Sequence, residues 1–399
     1  MADFFAVHRF MSMFMVLAAC GFASSFSLRL IDPLILPVAS HFAVASSTAA
    51  MLSPAYALPY ALSQPFLGPI SDRFGRIRCM RVCMAGLALT LFIGAIAPNF
   101  ETLFASRMIA GVFGGGLVPL VLAALGDAYA MGARQVAIGR MLFALISGQM
   151  LGSIVAGFAS EAAGWRSAFW ISFVLAVVAA LLLWIAARHA DDAHGGAPGS
   201  FRALYARVFA NPKAKWLYPA VFVEGTLFFG FFPFAGEALL ALEPGSTRDI
   251  AKHVGMVLGA FGIGGLAYAL TVRRLLRVLG VTRMCIVASM LGAAGYGALA
   301  LSGVWWQAAL AMFGSGLAFY MLHNCLQTEA TELAPAARGS AVALFASGLF
   351  LGQGAGPLLF GPLSHLAGHS AAYVIVAIAL IVLGQVVVRR IVATPATAH

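Results

Sequence analysis

The chain has 399 residues, 62% of them hydrophobic and only 10% charged, with a mean hydropathy of +0.94 and a formal net charge of +10. A soluble globular chain carries about 25% charged residues, and the apolar residues here come in long runs such as 171–187 and 371–388, near the ~20 residues that cross a bilayer. This composition excludes a soluble domain, and the lack of strand-like alternation excludes a membrane barrel, which leaves a polytopic α-helical membrane protein.

Twelve spans are predicted, at 9–39, 47–67, 79–97, 102–126, 136–161, 166–187, 215–240, 253–272, 282–301, 305–329, 339–364 and 370–389. The net positive charge does not point to nucleic acid, because the basic residues sit in short loops between spans. One side receives only Arg166, Arg248 and Lys252, two arginines fall inside spans, and the remaining 19 of the 24 basic residues lie on the other side. That side is expected to be cytoplasmic, with both termini inside. The five cysteines fall within apolar runs without zinc spacing and read as small apolar filler.

Few ionisable residues lie inside spans, so each is a functional candidate. Span one carries Arg29 and Asp32, three apart and able to share a face. Span four carries Arg107, within reach of a local interaction with Asp32. These three form either a substrate and proton site or a buried ion pair that only neutralises itself. After span two comes the loop "GPISDRFGRIR", Gly68–Arg78, in which Gly68 and Gly75 permit tight turns. Asp72 can face the N-terminus of span eleven, and Arg76 can pair with Asp127 at the end of span four. Gly111, Gly114, Gly115 and Gly116 make span four thin enough for close crossing.

Span five contains "GQMLGSIVAG" and span eleven "GQGAGPLLFG". Sliding residues 133–169 by 204 positions onto 337–373 gives identities at 12 of 37 positions, including Arg134/Arg338 and Gln149/Gln353. The two spans are equivalent members of two six-span halves. Six is even, so the repeats are parallel, related by an axis along the membrane normal. The halves are 1–188 and 215–399, joined by a polar linker, 189–214, with an amphipathic piece near Phe201–Phe209 expected at the interface.

In the second half, span seven carries Glu224 in "FVEGTLFFGFFPF", with no cation within two turns of its own helix. A carboxyl in that position can bind and release a proton, or it can be a protonated acid bonded to a neighbouring helix. Glu237 lies nearer the outer end. In span ten, "HNCLQTEATE" places His323 and Gln327 on one face, with Asn324 beside them. This cluster, with Gln149 and Gln353, is either a polar cavity wall or a helix–helix clamp. His365 and His369 are four apart but flank Gly368 at a helix end, and no metal site is expected there.

The loop Gly68–Arg78 resembles the signature Gly-x-x-x-Asp-Arg-x-Gly-Arg-(Lys/Arg) of the major facilitator superfamily. Gly68, Asp72, Arg73, Gly75 and Arg76 match, and Arg78 falls one place late. Arg107 followed by Gly111 in span four and the doubled six-span pattern extend the resemblance to the whole chain. It implies two six-helix bundles that rock around a central cavity, with Gly68, Asp72, Arg73, Gly75, Arg76 and Asp127 latching them while the outside is open. It also implies a multi-pass monomer of the bacterial inner membrane that handles a small molecule and protons and contacts lipid, without a cofactor. The family's antiporter signature in span five, Gly-x-x-x-Gly-Pro-x-x-Gly-Gly, fits at Gly148 and Gly152 but meets Ser153 instead of the proline and Ala156 instead of the penultimate glycine. The reading is therefore a secondary active transporter, expected to exchange protons for an exported drug-like or metabolite substrate. Proton-coupled uptake or a uniporter for a sugar or organic acid is the alternative. No nucleophile elbow, nucleotide loop or soluble domain supports an enzyme.

Overall fold

Length and apolarity put every span in the helical regime, because a lipid-facing backbone must satisfy its polar groups within its own segment. The computed structural model describes residues 2–128, 131–186, 201–243, 249–334 and 337–392, excepting the side chains of 2–12, 68, 69, 72, 126–128, 131–136, 138, 139 and 201–204. The described residues are helical apart from short turns, and among them there is no strand.

The helices follow the expected order. Span one is Ala2–Arg29, continued by a 3-10 turn at Asp32–Leu34 and the helix Ile35–Phe42. Spans two to six are Leu52–Phe74, Arg76–Ala95, Phe100–Ala128, Met131–Ala163 and Arg166–Ala186. Span seven is Ala214–Phe229, continued by a 3-10 turn at Phe232–Phe234 and the helix Ala235–Leu242. Ile250–Leu301 holds spans eight and nine, divided at Gly280, whose φ of 67° only glycine adopts freely. Trp305–Leu333, Arg338–Ala367 and His369–Val387 complete the twelve. In the polar linker, the amphipathic helix is Phe201–Ala210.

Burial ranks the helices from centre to rim. The apolar windows of spans one and seven are 72% and 67% buried, those of spans six and twelve 33% and 39%. Side chains such as Leu181, Ile185, Ile378 and Val382 are exposed, as lipid-facing residues are where the solvent is apolar. Spans one and seven therefore stand at the middle of the molecule.

The repeated glycines are contact points. A Cβ on Gly148 would lie 2.6 Å from the Phe22 carbonyl oxygen, and one on Gly152 2.5 Å from that of Phe26. In the second half, Gly352 meets the Phe222 carbonyl and Gly356 the backbone of Gly230. Each decad thus lets span five lie on span one and span eleven on span seven at backbone distance.

Among the described residues, contacts between the halves lie at mid-depth and towards one end. We call the end bearing Phe74–Arg76 the basic face and the other the far face. Span five meets span eight through Gly255, Gly259 and Gly262, opposite Ser153, Ile154 and Met150. From Gly264 onwards span eight packs on Phe313 and Tyr320 of span ten instead. Spans two and eleven touch near mid-depth, with Gly354 against Leu58, Phe350 against Tyr60 (ring centroids 4.2 Å apart) and Ser347 Oγ donating to the Ala61 carbonyl (2.8 Å). At the far face Leu36 packs on Gly236, Ser46 donates to Glu237, and Lys252 lies 3.8 Å from Glu161. The far end is closed.

Candidate functional site

Both central helices are broken at the same place for the same reason. Pro33 lacks the N–H that would bond the Arg29 carbonyl, and Pro233 lacks the one that would bond Phe229. Each chain turns through a 3-10 bond instead, Leu34 N to Ile31 O at 2.9 Å and Phe234 N to Phe231 O at 2.8 Å. The freed Arg29 carbonyl accepts from Ser153 Oγ at 3.3 Å. Ser153 is the residue that stands where the antiporter signature has proline, and this hydrogen bond gives it a local role.

These breaks reveal a second repeat, at an offset of 200 positions, that pairs Arg29 with Phe229 and Asp32 with Phe232. The internal symmetry sets a charged pair of the first half against an aromatic pair of the second. The Arg29 guanidinium lies 4.2 Å from the Phe229 ring centroid and 4.9 Å from that of Phe232. Its Nη2 donates to Gln353 Oε1 at 2.8 Å, its Nε reaches Gln149 Oε1 at 3.4 Å, and its Nη1 stands 3.7 Å from Asp32 Oδ2. The two glutamines of the repeated decads therefore converge on one arginine. Asp32 Oδ1 accepts from Ser53 at 2.9 Å, while Oδ2 has no hydrogen-bond partner.

Arg107 lies close enough to Asp32 to interact with its charge, but its hydrogen bonds go elsewhere. Its Nη1 donates to the Ser27 carbonyl at 3.0 Å and its Nη2 points to that of Leu28 at 3.5 Å, while its guanidinium covers the Tyr56 ring at 4.2 Å. These carbonyls belong to the last turn of the broken helix, where orphan acceptors and the negative end of the dipole favour a cation. Tyr56 is held by Gly111 and Gly114, which leave room for its backbone and hydroxyl, and by a 3.0 Å bond to Ser27 Oγ. Arg107 and the span-four glycines thus build one structural unit.

Glu224 is fully buried and bonds His323 Nδ1 of a neighbouring helix through Oε2 at 2.9 Å. Its Oε1 has no partner. His323 is pinned between rings, stacked on Phe319 at 5.1 Å and 5.0 Å from Phe345. The pair joins spans seven and ten inside the second bundle. Asn324 and Gln327 are half-buried on the same helix as His323 and make no side-chain hydrogen bond among the described residues.

A sequence model of the Major Facilitator Superfamily matches residues 17–237, more than half of the chain. The chain belongs to the major facilitator superfamily. A superfamily relative, the uncharacterized MFS-type transporter YceJ of Bacillus subtilis, is 27% identical over 354 residues, which is 86% of this chain and 87% of that protein. A triacylglyceride transporter of Mycolicibacterium hassiacum is 37% identical over 131 residues, 33% of this chain and 24% of its own length. The fatty acid resistance protein FarB of Neisseria gonorrhoeae is 23% identical over 167 residues, 42% of this chain and 33% of its own. The fold is shared with a variant of the nucleoside transporter NupG, at TM-score 0.77 and 15% identity over 93% of this chain and 98% of that one. This is a membrane transporter and not an enzyme.

The loop between spans two and three carries the residues that match the superfamily signature. Gly75 adopts φ 90°, ψ 136° and separates the two helices, a backbone state that suits glycine. Arg76 Nη1 donates to the Ala123 carbonyl of span four at 2.8 Å, and Arg73 lies 5.4 Å from the Phe74 ring. Gly68, Asp72 and Asp127 lie outside the residues whose side chains are described. Glu237, read from the sequence as a cavity candidate, is the far-face acceptor of Ser46, a contact between the halves.

Two features escaped the sequence reading. The 200-position repeat was invisible to an ungapped slide of 204, because loops between spans one and five and between seven and eleven differ by four residues. The matching Pro33 and Pro233 were the signal that could have found it. The Glu224–His323 pair joins residues 99 positions apart, and no local pattern announces it.

Proposed function

We propose that this chain is a proton-coupled exporter that moves a small amphiphilic molecule across the bacterial inner membrane by alternating access between the bundles 1–188 and 215–399. The basic face is the cytoplasmic one, and both termini lie there. The far contacts Ser46–Glu237, Leu36–Gly236 and Lys252–Glu161 are then the outer gate, closed while cytoplasmic cargo is admitted.

The observation that carries the coupling is the buried Glu224–His323 pair with its unpartnered Oε1. A carboxyl in a dry site that has one partnered and one free oxygen can take a proton there without breaking its existing bond. Protonation removes a buried charge and so changes the relative stability of the two bundle arrangements. Asp32, with one free oxygen beside Arg29, is the second proton candidate. Arg29, Gln149, Asn324 and Gln327 supply the polar contacts to cargo, and Gln353 holds Arg29 across the bundles until cargo arrives. The triacylglyceride and fatty-acid names of the relatives support a cargo with apolar character.

The test is transport in liposomes containing the purified protein, with an imposed pH gradient and a panel of dyes and metabolites. Export coupling predicts cargo movement opposite to protons, with Glu224→Gln and Asp32→Asn losing gradient-driven accumulation. Normal transport by both variants at every pH would overturn the assignment of proton carriers. Ser153 and Ala156 in place of the antiporter proline and glycine favour uptake, and cargo moving with protons in this assay is that outcome.

A further inference from the structure

The surroundings of Arg29 bear on the charge of the cargo. Three strongly charged side chains, Arg29, Asp32 and Arg107, are buried together at 5%, 2% and 1% exposure. Their sum is one positive charge, and Glu224 lies apart in its own pair with His323. A buried net charge is costly unless a counter-ion accompanies it.

The two arginines differ in what remains free. Arg107 leaves its buried Nε unpartnered, but spends both Nη atoms, the edge that grips an anion, on the Ser27 and Leu28 carbonyls and its face on Tyr56. Arg29 has one short hydrogen bond, from Nη2 to Gln353 at 2.8 Å, and a long one from Nε to Gln149 at 3.4 Å. Its Nη1 makes no hydrogen bond among the described residues, and Asp32 Oδ2 stands off at 3.7 Å. The guanidinium fork is the shape that binds carboxylates through two parallel bonds, and that edge is not filled. Next to it lie Phe229 and Phe232, which continue into an aromatic layer with Phe319 (4.9 Å from Phe229) and Phe261 (5.4 Å from both). Gln149, whose amide oxygen faces the guanidinium, is itself only half-buried, unlike Arg29 and Gln353.

Resting on the transporter reading above, we propose that the cargo is an organic anion, a single carboxylate carried by an apolar or aromatic body. The carboxylate takes the Nη edge of Arg29 and replaces Gln353 there, and the body lies along Phe229 and Phe232. A cationic cargo would have to approach Asp32 past Arg29 and would add to the uncompensated positive charge. Because Gln353 and both phenylalanines belong to the second bundle and Arg29 to the first, anion capture also exchanges a bond between the bundles for a bond to cargo.

The experiment measures binding to the purified full-length protein in detergent, with no gradient, by thermal melting. The probes are octanoate and phenylbutyrate, each compared with the alcohol and the amine of the same skeleton. Both carboxylates are expected to raise the melting temperature saturably, and the alcohols and amines to leave it unchanged. Arg29→Gln should weaken carboxylate binding by about thirtyfold or more, the loss that follows removal of one member of a buried charge pair, with Arg29→Lys falling between. Gln353→Ala, which frees Nη2, should bind the carboxylates more tightly and keeps the question open to test if the Arg29 variants do not fold. Failure of both carboxylates to bind, a preference for the amines, undiminished binding by Arg29→Gln, or unchanged or weaker binding by Gln353→Ala would each overturn the proposal. Carboxylate binding without proton-driven movement in liposomes would remove the export reading and keep this one. Proton-driven export of amines without carboxylate binding would do the reverse.

Discussion

Gly255→Ala should push the transporter off the conformation seen here without unfolding it. Gly255 lies on span eight, and its Cβ would stand 2.7 Å from the Ser153 carbonyl oxygen and 3.3 Å from Gly157 Cα across the interface between the halves. An ordinary carbon contact is about 3.5 Å, so the bundles must separate there by roughly 0.8 Å or accept the strain. Overpacking of this size costs about 1–3 kcal/mol. The cost falls only on the state with the far gate closed, because the methyl meets nothing within its own bundle at that distance. A bias of 1–3 kcal/mol changes the ratio of the two states by about 5–150-fold. The helix-propensity gain of alanine, about 1 kcal/mol, applies to both states and cancels.

Spin labels at Ser47→Cys and Ala241→Cys, both exposed at the far face, would report the gate, since the five native cysteines are buried and free. Gly255→Ala should add a longer-distance population with little change in melting temperature. Gly148→Ala is the control: it has a similar overlap, 2.6 Å from the Phe22 carbonyl, but within one bundle. It should lower the melting temperature and leave the distance distribution alone. If Gly255→Ala leaves the distances unchanged, or if both variants behave alike, the assignment of span five and span eight to a moving interface is wrong.

Further outcomes follow from single contacts. Arg107→Ala should destabilise by about 3–5 kcal/mol in a thermal melt, because it strips a buried cation from helix-end carbonyls and Tyr56, and Arg107→Lys should recover only part of that, lacking the fork. Ser153→Ala removes the only side-chain donor to the Arg29 carbonyl among the described residues, at a cost of about 1 kcal/mol, read in the same melt. Glu237→Ala should loosen the far gate and lengthen the spin-label distance, and Glu237→Gln, which can still accept from Ser46, should not. A melt unchanged by Arg107→Ala would show that the guanidinium is not holding the broken helix of span one.

Much of the fold was legible because its causes are local. Hydropathy marked most spans, the proline-rich second one, Leu52–Phe74, carrying the weakest apolar signal, and Gly280, Gly75 and Gly368 ended helices where a positive φ was needed. The repeat of Gly148-Gln149 and Gly352-Gln353 identified the two halves, since small residues at close helix crossings must sit in sequence at fixed spacing. Of the polar residues singled out within spans, Arg29, Asp32, Gln149 and Gln353 come together.

What the sequence determined by itself was therefore the solvent each segment faces, the number and parity of the spans, and which polar residues were out of place in lipid. Those properties depend on a residue and its near neighbours along one helix. Partnership was decided only by the tertiary structure. Arg107 chose helix-end carbonyls over Asp32, Glu224 found His323 on another helix, and Arg29 met Gln353 from 324 positions away. A buried charge takes whichever group the packing brings within a few ångströms, and that depends on helix crossings set by glycines and on breaks set by Pro33 and Pro233. The one-dimensional chain lists those devices but does not carry the distances they produce.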